Sequence, residues 1–517
     1  MSTADARKKP RRGASLVAAG ILLSRIAGLI RNHYFSYYFG LSPAADAFGA
    51  ALRIPNFLQN LLGEGVLSAS FIPVYSGLLA QDKKEEAGRV AGAIFAILAL
   101  VTSVIVAVGV LATPLLVPLI AQGFQDEERR TLTISLVRIF FPGTGLLVMS
   151  AWCLGILNSH RRFFLSYCAP VVLNAVMIAA LLRFGGHVDT DQLARLVAWA
   201  SVIGSGVQFL VQLPSVLRLV PALRVQLAFD LASTRTVIRN FVPVFISRGV
   251  VNLSAYIDTW LASFLPTGAV AALLNAQMIY LLPVSLFGMS VSASELPEMS
   301  SATGADHEIA AFLVKRLTVG LRRIALFVIP SVVAFIALGD MVAGAIYASR
   351  AGKFGAVETR YVWTILAGSG IGLLASTQGR LYSSAFYALK DTRTPLNFAI
   401  LRVTLTTVLG YLCALPLPHL LGVDPKWGAC GLTASAGLSG WIEFLLLRQA
   451  LAKRIGTAHL GVPWVLRLWG AAIVAAAVAW AIKLYWPIHQ PQMAAVATLI
   501  PFGVIYILLA DPQQFRK

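Results

Sequence analysis

Arg25, Arg31, Asp46, Arg53 and Glu64 lie inside two consecutive stretches, 14–40 and 44–79, that otherwise read as membrane-spanning helices. A charge at bilayer depth costs at least about 2.5–3.5 kcal/mol even on the most lenient insertion scale. Several charges in two neighbouring spans therefore need a shared reason, and a polar cavity supplies one.

The rest of the chain identifies the solvent. Hydrophobic residues make up 57% of the 517 positions and charged residues only 13%, which excludes an ordinary soluble domain. Apolar stretches of about twenty residues recur along the whole length, whereas an outer-membrane barrel would show short alternating segments. The expected fold class is all-α, a polytopic membrane protein of about 14 transmembrane helices. Spans fall near 14–40, 44–79, 89–119, 131–157, 164–184, 193–219, 236–264, 268–297, 310–338, 360–387, 395–416, 427–451, 464–485 and 491–511.

An even number of crossings puts both termini on one side. The loops on that side carry Lys83, Lys84, Arg161, Arg162, Arg218, Arg224, Arg235, Arg239, Lys390, Arg393, Lys453 and Arg454. The opposite loops carry mainly Arg129, Arg130, Arg350, Lys353 and Arg360. Basic residues accumulate in cytoplasmic loops, so both termini are expected in the cytoplasm. Topology accounts for the net charge of +19, and nucleic acid is not an expected partner because the basic residues sit in short loops and not on a separate domain. The run Arg7-Lys8-Lys9-Pro10-Arg11-Arg12 reads as a retained cytoplasmic anchor that touches anionic membrane lipids. The apolar stretch after it holds Arg25 and Arg31 and lacks the small-residue cleavage site of a signal peptide.

Enzyme chemistry finds no support. Cys153, Cys168, Cys413 and Cys430 lie in apolar stretches without metal-ligand spacing and read as packing residues. The seven histidines, among them His33, His160, His187, His307 and His419, are scattered over loops and span ends. No HExxH, P-loop or GxSxG occurs. No metal or cofactor is expected, and transport would draw on ion gradients, membrane potential or substrate consumption, with any coupling ion left open.

An internal repeat divides the chain. Ser68-Ala69-Ser70-Phe71-Ile72-Pro73-Val74-Tyr75-Ser76 recurs roughly 224 residues later as Ser292-Ala293-Ser294-Glu295-Leu296-Pro297-Glu298-Met299-Ser300, and Ser24-Arg25 is echoed by Ser247-Arg248. Spans 1–2 then correspond to spans 7–8, which predicts two pseudo-symmetric six-helix lobes plus two C-terminal helices. The expected organisation is a basic cytoplasmic N-terminus (1–13), an N-lobe of spans 1–6 (14–219), a cytoplasmic linker (220–235), a C-lobe of spans 7–12 (236–451), spans 13–14 (464–511) and a cytoplasmic C-terminus (512–517). Two such lobes suit alternating access. Pro55, Gly63 and Gly65, Pro142, Gly143 and Gly145, and Pro283 and Gly288 are places where spans 2, 4 and 8 can kink around a cavity.

Helical geometry orders the charges. Arg25 and Arg31, six apart, diverge by about 120° and can border one wide cavity. Arg53 and Glu64, eleven apart, fall on one face of an unbroken helix, which Asn56 and Asn60 continue. Three arginines outweigh Asp46 and Glu64 and favour an anionic substrate, because the planar guanidinium fork matches phosphate. A structural ion bridge from Arg53 to Asp46 or Glu64 is the alternative for the acids. In the second lobe, Arg248 and Asp258 on span 7 can both border an interior, and Glu295 near the end of span 8 is either a gate residue or an interfacial one.

These residues resemble a known family. Ser24-Arg25-Ile26-Ala27-Gly28 with Arg31, Ala45-Asp46-Ala47-Phe48, Arg53-Ile54-Pro55-Asn56, Gly63-Glu64-Gly65 and Phe71-Ile72-Pro73 are similar to the N-terminal signature of the MurJ (MviN) family of lipid II flippases. Gly155-Ile156-Leu157-Asn158, Arg162-Phe163, Ala169-Pro170 and Leu173-Asn174 add to it, as do Phe386-Tyr387-Ala388 and the loop Asp391-Thr392-Arg393-Thr394-Pro395. The resemblance implies the multidrug/oligosaccharidyl-lipid/polysaccharide exporter fold in the bacterial inner membrane. It implies as substrate lipid II, the undecaprenyl-pyrophosphate-linked disaccharide-pentapeptide precursor of peptidoglycan. On matching positions, Arg25, Arg31 and Arg53 are implied to engage the pyrophosphate, with Asp46 and Glu64 shaping or gating the cavity. Spans 13 and 14 are implied to form an apolar groove for the lipid tail.

The resemblance has gaps. Many members carry an acidic-basic pair on span 8 before a proline, where this chain has Gln277-Met278 ahead of Pro283, and some carry basic residues where it has Gln59 and Asn60. An exporter of another undecaprenyl-pyrophosphate-linked oligosaccharide, or a non-transporting scaffold for envelope synthesis, are the other readings. The facing repeat suggests that Arg248 and Asp258 replace the missing pair. An Arg248→Ala protein is accordingly expected to lose complementation of a strain depleted of its own flippase, and full complementation would remove Arg248 from that role.

Overall fold

The computed structural model describes residues 3–302, 304–349, 351–486 and 490–510, without the side chains of 3–19, 244 and 246–255. The C-terminus after 510, the side chains of the basic run Arg7–Arg12 and the side chain of Arg248 therefore lie outside the described residues. All regular structure among the described residues is helical, and contacts divide the chain into two compact units, Met1–Trp260 and Leu261–Lys517.

The first unit holds α1 (Thr3–Phe39), α2 (Pro43–Ala51), α3 (Arg53–Leu62), α4 (Glu64–Ser70), α5 (Ile72–Ala80), α6 (Lys84–Leu116), α7 (Pro118–Ala121), α8 (Glu127–Ser159), α9 (Phe163–Cys168), α10 (Pro170–Phe184), α11 (Thr190–Leu219) and most of α12 (Ala232–Ser263). The second holds α13 (Ala269–Pro283), a π-helical segment (Val284–Met289), α14 (Ser290–Ser300), α15 (Asp306–Ala337), α16 (Gly339–Tyr347), α17 (Ala356–Ala388), α18 (Arg393–Ala414), α19 (Pro416–Leu421), α20 (Gly428–Ile455), α21 (Val462–Tyr485) and α22 (Pro491–Ala510).

Among the described residues, eleven helical segments are long and apolar enough to cross a membrane. Helices α1, α12 and α17 match them in length at 37, 32 and 33 residues, and carry Arg25 and Arg31, Arg248 and Asp258, and Arg380 within their runs. The expected fourteen spans thus stand as eleven by length and apolar composition.

In the first unit α8 is the hub, packed by α11, α6 and the α2–α5 series. Its most apolar window is 72% buried against 22% for α6, so α6 turns most of its surface outward. Val104, Val108, Leu111 and Leu115 on α6 are exposed at helical spacing, the stripe expected where hydrocarbon is the solvent. Phe71, Tyr75, Val90 and Trp152 close the core, and the Trp152 indole N–H donates to the Ala91 carbonyl at 3.0 Å. In the second unit α17, the counterpart of α8 in the sequence repeat, is packed by α13, α14, α15, α16 and α20.

One expectation needs correction. Span 2 is not one continuous helix: it breaks at Gly63, while at Leu52 and Phe71 the backbone stays right-handed helical and keeps its hydrogen bonds to Phe48 and Leu67. At Gly63 the N–H bonds Gln59 O at 2.7 Å and a Cβ would come within 2.4 Å of that oxygen, so the chain folds back too tightly for the helix to continue with a side chain there. The three-turn phase that put Glu64 on the face of Arg53 is lost at this break. Pro142, in contrast, stays within the continuous α8, while Pro283 precedes the π-helical segment on span 8.

The segment between spans 6 and 7 packs against the first unit. Its backbone at Arg224 lies against Gly92 of α6, where a Cβ would meet the Arg224 carbonyl at 1.9 Å. Arg89 pairs with Asp230 at 3.2 Å and Ser233 donates to Glu86 at 2.6 Å. These contacts draw the start of α12 into the first unit.

Helices α17 and α20 approach through small residues. A Cβ on Gly372 would lie 2.4 Å from Gly437 Cα, and the Thr433 hydroxyl donates to Ile365 O at 2.9 Å, the close backbone packing that membrane helices use in place of a hydrophobic drive. Gly372→Val should cost about 1–3 kcal/mol through overpacking. Gly440→Val on the same pair of helices, where a Cβ meets nothing within 4 Å, should leave the melting temperature of the detergent-solubilised protein nearly unchanged, and equal losses for both would refute the contact.

Candidate functional site

Arg53 opens α3 and is half-buried. The Tyr256 hydroxyl of α12 donates to the Arg53 carbonyl oxygen at 2.5 Å, and the Tyr256 ring meets Phe57 edge-on at 5.0 Å between centroids. Asp258, also on α12, lies within electrostatic reach of the Arg53 guanidinium. Sequence reasoning placed Asp258 on the facing lobe, apart from Arg53; the structure brings the two together inside one unit. The backbone of Arg53 is thereby held from the same helix that supplies a counter-charge to its side chain.

The other charges of the first two spans are dispersed. Arg31 is half-buried and donates to the Asn32 side-chain oxygen from Nε at 3.2 Å and Nη2 at 2.8 Å. Arg25 is exposed on the same helix, which packs on α9 and α10, and makes no ion pair among the described residues. Asn56 is exposed one turn after Arg53. Glu64 is exposed at the start of α4 and lies within electrostatic reach of Tyr167 on α9.

Asp46 balances a different cation from those expected. It is 1% exposed, in the first turn of α2 behind the Ser42 cap, and accepts from Arg129 Nη1 at 3.3 Å. Arg129, in the first turn of α8, also bonds Asp126 at 2.5 Å and stacks over Phe124 at 4.5 Å. An acid and a base both buried here leave neither uncompensated, and the pair ties α2 to α8.

Glu295 is buried in an ion-paired cluster. It is 1% exposed, with Arg316 Nε at 2.8 Å and Arg323 Nη1 at 3.7 Å; those arginines stand two turns apart on α15. It holds α14 against α15. In the loop before α18, Asp391 accepts from the Arg393 and Thr394 N–H groups at 3.0 Å and from the Thr394 hydroxyl at 2.7 Å, and pairs with Arg454 at 2.7 Å. The Thr394 bonds, helped by Arg454, hold its carboxyl below the usual carboxylate range. This cap is therefore fully formed above that range and is lost only as pH falls through the lowered native value. Arg162 and Arg393 are exposed at the starts of α9 and α18.

A polar group in the second unit was missed. Arg402 Nε on α18 pairs with Glu443 on α20 at 2.9 Å, with side chains 36% and 19% exposed. Arg380 on α17 lies within electrostatic reach of Glu443 and of Tyr280, whose hydroxyl hydrogen-bonds Ser376 Oγ at 2.8 Å. The rule that singled out Arg25 and Arg53 would have found Arg380, Arg402 and Glu443, since all three lie within apolar spans. Among the described residues no group of three or more His, Cys, Asp or Glu is placed to hold a metal.

Comparison with known proteins places the chain. The profile of the family described as lipid II flippase MurJ matches residues 35–502. The lipid II flippase MurJ of Burkholderia cenocepacia is 31% identical over 98% of both chains, and the probable lipid II flippase MurJ of Rhizobium tropici is 29% identical over 95% of this chain and 90% of that one. A solved structure of a lipid II flippase MurJ in an inward closed conformation shares the fold, with TM-score 0.75 at 22% identity, covering 96% of this chain and 98% of that one. An inward-facing multidrug transporter of the MATE family and MOP superfamily has TM-score 0.65 at 17% identity, covering 83% of this chain and 95% of its own.

Removing one partner of a buried ion pair costs about 3–5 kcal/mol. Asp46→Asn should fall at the low end because Arg129 keeps Asp126, and Arg129→Met at the high end because Asp46 loses its cation. Asp46→Leu combined with Arg129→Met should recover much of the loss in a thermal unfolding series, and strictly additive losses would argue against the pairing.

Proposed function

Because the chain belongs to the lipid II flippase MurJ family, we propose that it moves lipid II from the cytoplasmic to the periplasmic leaflet of the bacterial inner membrane by alternating access, supplying cell-wall synthesis. The observation that carries this reading is the family match over residues 35–502, which includes the half-buried Arg53 and its α12 partners. Both termini are assigned to the cytoplasm on the distribution of basic loops.

In this reading Arg25, Arg31 and Arg53 receive the pyrophosphate. Diphosphate oxygens accept charge-assisted hydrogen bonds that a guanidinium fork donates in pairs. Asp258 serves Arg53 as an internal counter-ion, so an arriving pyrophosphate competes with a carboxylate for the same guanidinium. That competition bears on α12, the helix that starts in one unit and ends in the other. Substrate binding would thus loosen α12 from α3, and its departure would restore the Arg53–Asp258 attraction. Arg380 and Arg402, outnumbering Glu443, give the second unit its own excess of positive charge at span depth. An apolar cavity of about 330 Å³ in the second unit, lined by Leu282, Phe287, Phe327 and, from α22, Phe502 and Tyr506, supports the assignment of α22 to the lipid tail. Asp46 and Glu295 brace helices and take no substrate contact.

The test is translocation of labelled lipid II in proteoliposomes. Arg25→Ala, Arg31→Ala and Arg53→Ala should each slow it about tenfold or more, the loss expected for a hydrogen bond to a charged group, while thermal stability is retained. Rates equal to wild type in all three would overturn the assignment. Equal transport of other polyprenyl-pyrophosphate glycans would widen the substrate class, and no transport by the folded wild-type protein would leave the scaffold.

A further inference from the structure

Of the few basic residues on the Lys/Arg-poor side of the chain, Arg350, Lys353 and Arg360 fall within eleven positions. Translocation gives them no role. Arg360 opens onto a cavity of about 710 Å³ in the second unit, formed where α15 ends, α16 and α17 begin, and α21 gives way to α22.

The walls of this cavity are ordered. Lys483 of α21 is ion-paired with Asp340 of α16, and its ammonium lies 4.7 Å from the Trp480 ring centroid and 5.9 Å from that of Trp363. The indole N–H groups donate to the carbonyls of Ala337 and Ile336 at 2.7 and 3.0 Å, fixing both rings against the last turn of α15. Tryptophan with one apolar face and one satisfied polar edge is the side chain of the membrane–water boundary. Arg360 is exposed and makes no ion pair among the described residues. The acid nearest to it in sequence, Glu358, turns back to accept from the Gly355 N–H at 2.8 Å. With Asp340 offset by Lys483, Arg360 leaves the cavity one net positive charge, beside the positive first turn of the 33-residue α17.

A separate apolar cavity lies further along α22. Met341 lines the charged cavity and Val342 the apolar one of about 330 Å³. Along α22 the first reaches Ala494 and the second Phe502, eight residues or about 12 Å apart, within the half-thickness of about 15 Å that an acyl chain spans in a bilayer. A monoanionic head and an apolar chain, in that order and at that spacing, describe one class of molecule.

We propose that the second unit binds an anionic glycerophospholipid, its phosphodiester between Arg360 and Lys483 and one acyl chain laid along α22 into the groove of Phe287, Phe327 and Phe502. The site needs neither Arg53 nor the translocation reading, although its chain occupies the groove assigned above to the substrate tail. Head charge and chain length together select the occupant.

Thermal unfolding of the delipidated, full-length protein in detergent tests it, with dioleoyl phosphatidylglycerol and dioleoyl phosphatidylcholine as probes. Phosphatidylglycerol should raise the melting temperature at a concentration about fivefold or more below that needed for phosphatidylcholine, the effect of one basic residue beside an anionic lipid. Arg360→Gln should erase that difference without changing the lipid-free melting temperature. Gly503→Phe, placed where a Cβ meets nothing within 4 Å, should fill the groove and weaken the response to both lipids. Equal responses of the wild type to both lipids, an Arg360→Gln protein that still discriminates, or saturation by undecaprenyl pyrophosphate but not by phosphatidylglycerol would each overturn the proposal. Because no transport is measured, failure here leaves the flippase reading untouched.

Discussion

A charge carried into a helix surrounded by hydrocarbon has to meet an opposite charge, water or a substrate, and in this chain that requirement decides which helices are tied together. Asp46 and Arg129 join α2 to α8. Glu295 with Arg316 and Arg323 joins α14 to α15, Arg402 with Glu443 joins α18 to α20, and Asp340 with Lys483 joins α16 to α21. Each pair is also a constraint of register, since sliding either helix by one residue would separate the partners.

Against that background Arg53 stands apart. Its carbonyl is bonded by Tyr256 and its guanidinium sits within reach of Asp258, so its counter-charge comes from α12, the helix shared by both units. The break at Gly63 ends the helical run that carries it. A helix interrupted at Gly63 can be repositioned in part more cheaply than a continuous 38-residue helix, because fewer packed side chains must move with each piece. The arginine proposed to greet the substrate therefore sits on a helix with a break near its middle.

Much of this was legible in the chain. Apart from α1, which starts at Thr3 against an expected 14, apolar runs of about twenty residues gave helix positions that agree with the structure to within a few residues, from α2–α5 against the expected 44–79 to α22 against 491–511, because in lipid every backbone group must be bonded within its own helix. Arg25, Arg31 and Arg53 were found by the cost of their charge. The errors share one cause: Glu64 was phased to Arg53 through a helix that breaks at Gly63, Asp46 was assigned to the nearest arginines in sequence, and Asp258 was set apart from Arg53. In each, closeness along the chain or symmetry of the repeat stood in for closeness in space.

What the sequence by itself determined is the solvent, the all-helical class, the placement of the helices and the presence of costly charges, since all of these follow from hydropathy and from the single backbone arrangement that lipid permits. What only the tertiary structure decided is the partner of each charge. Asp46 is 83 positions from Arg129 and Tyr256 is 203 from Arg53, and no local periodicity reaches that far. Ion pairing acts through a few ångströms of space, and only packed helices bring such residues within it.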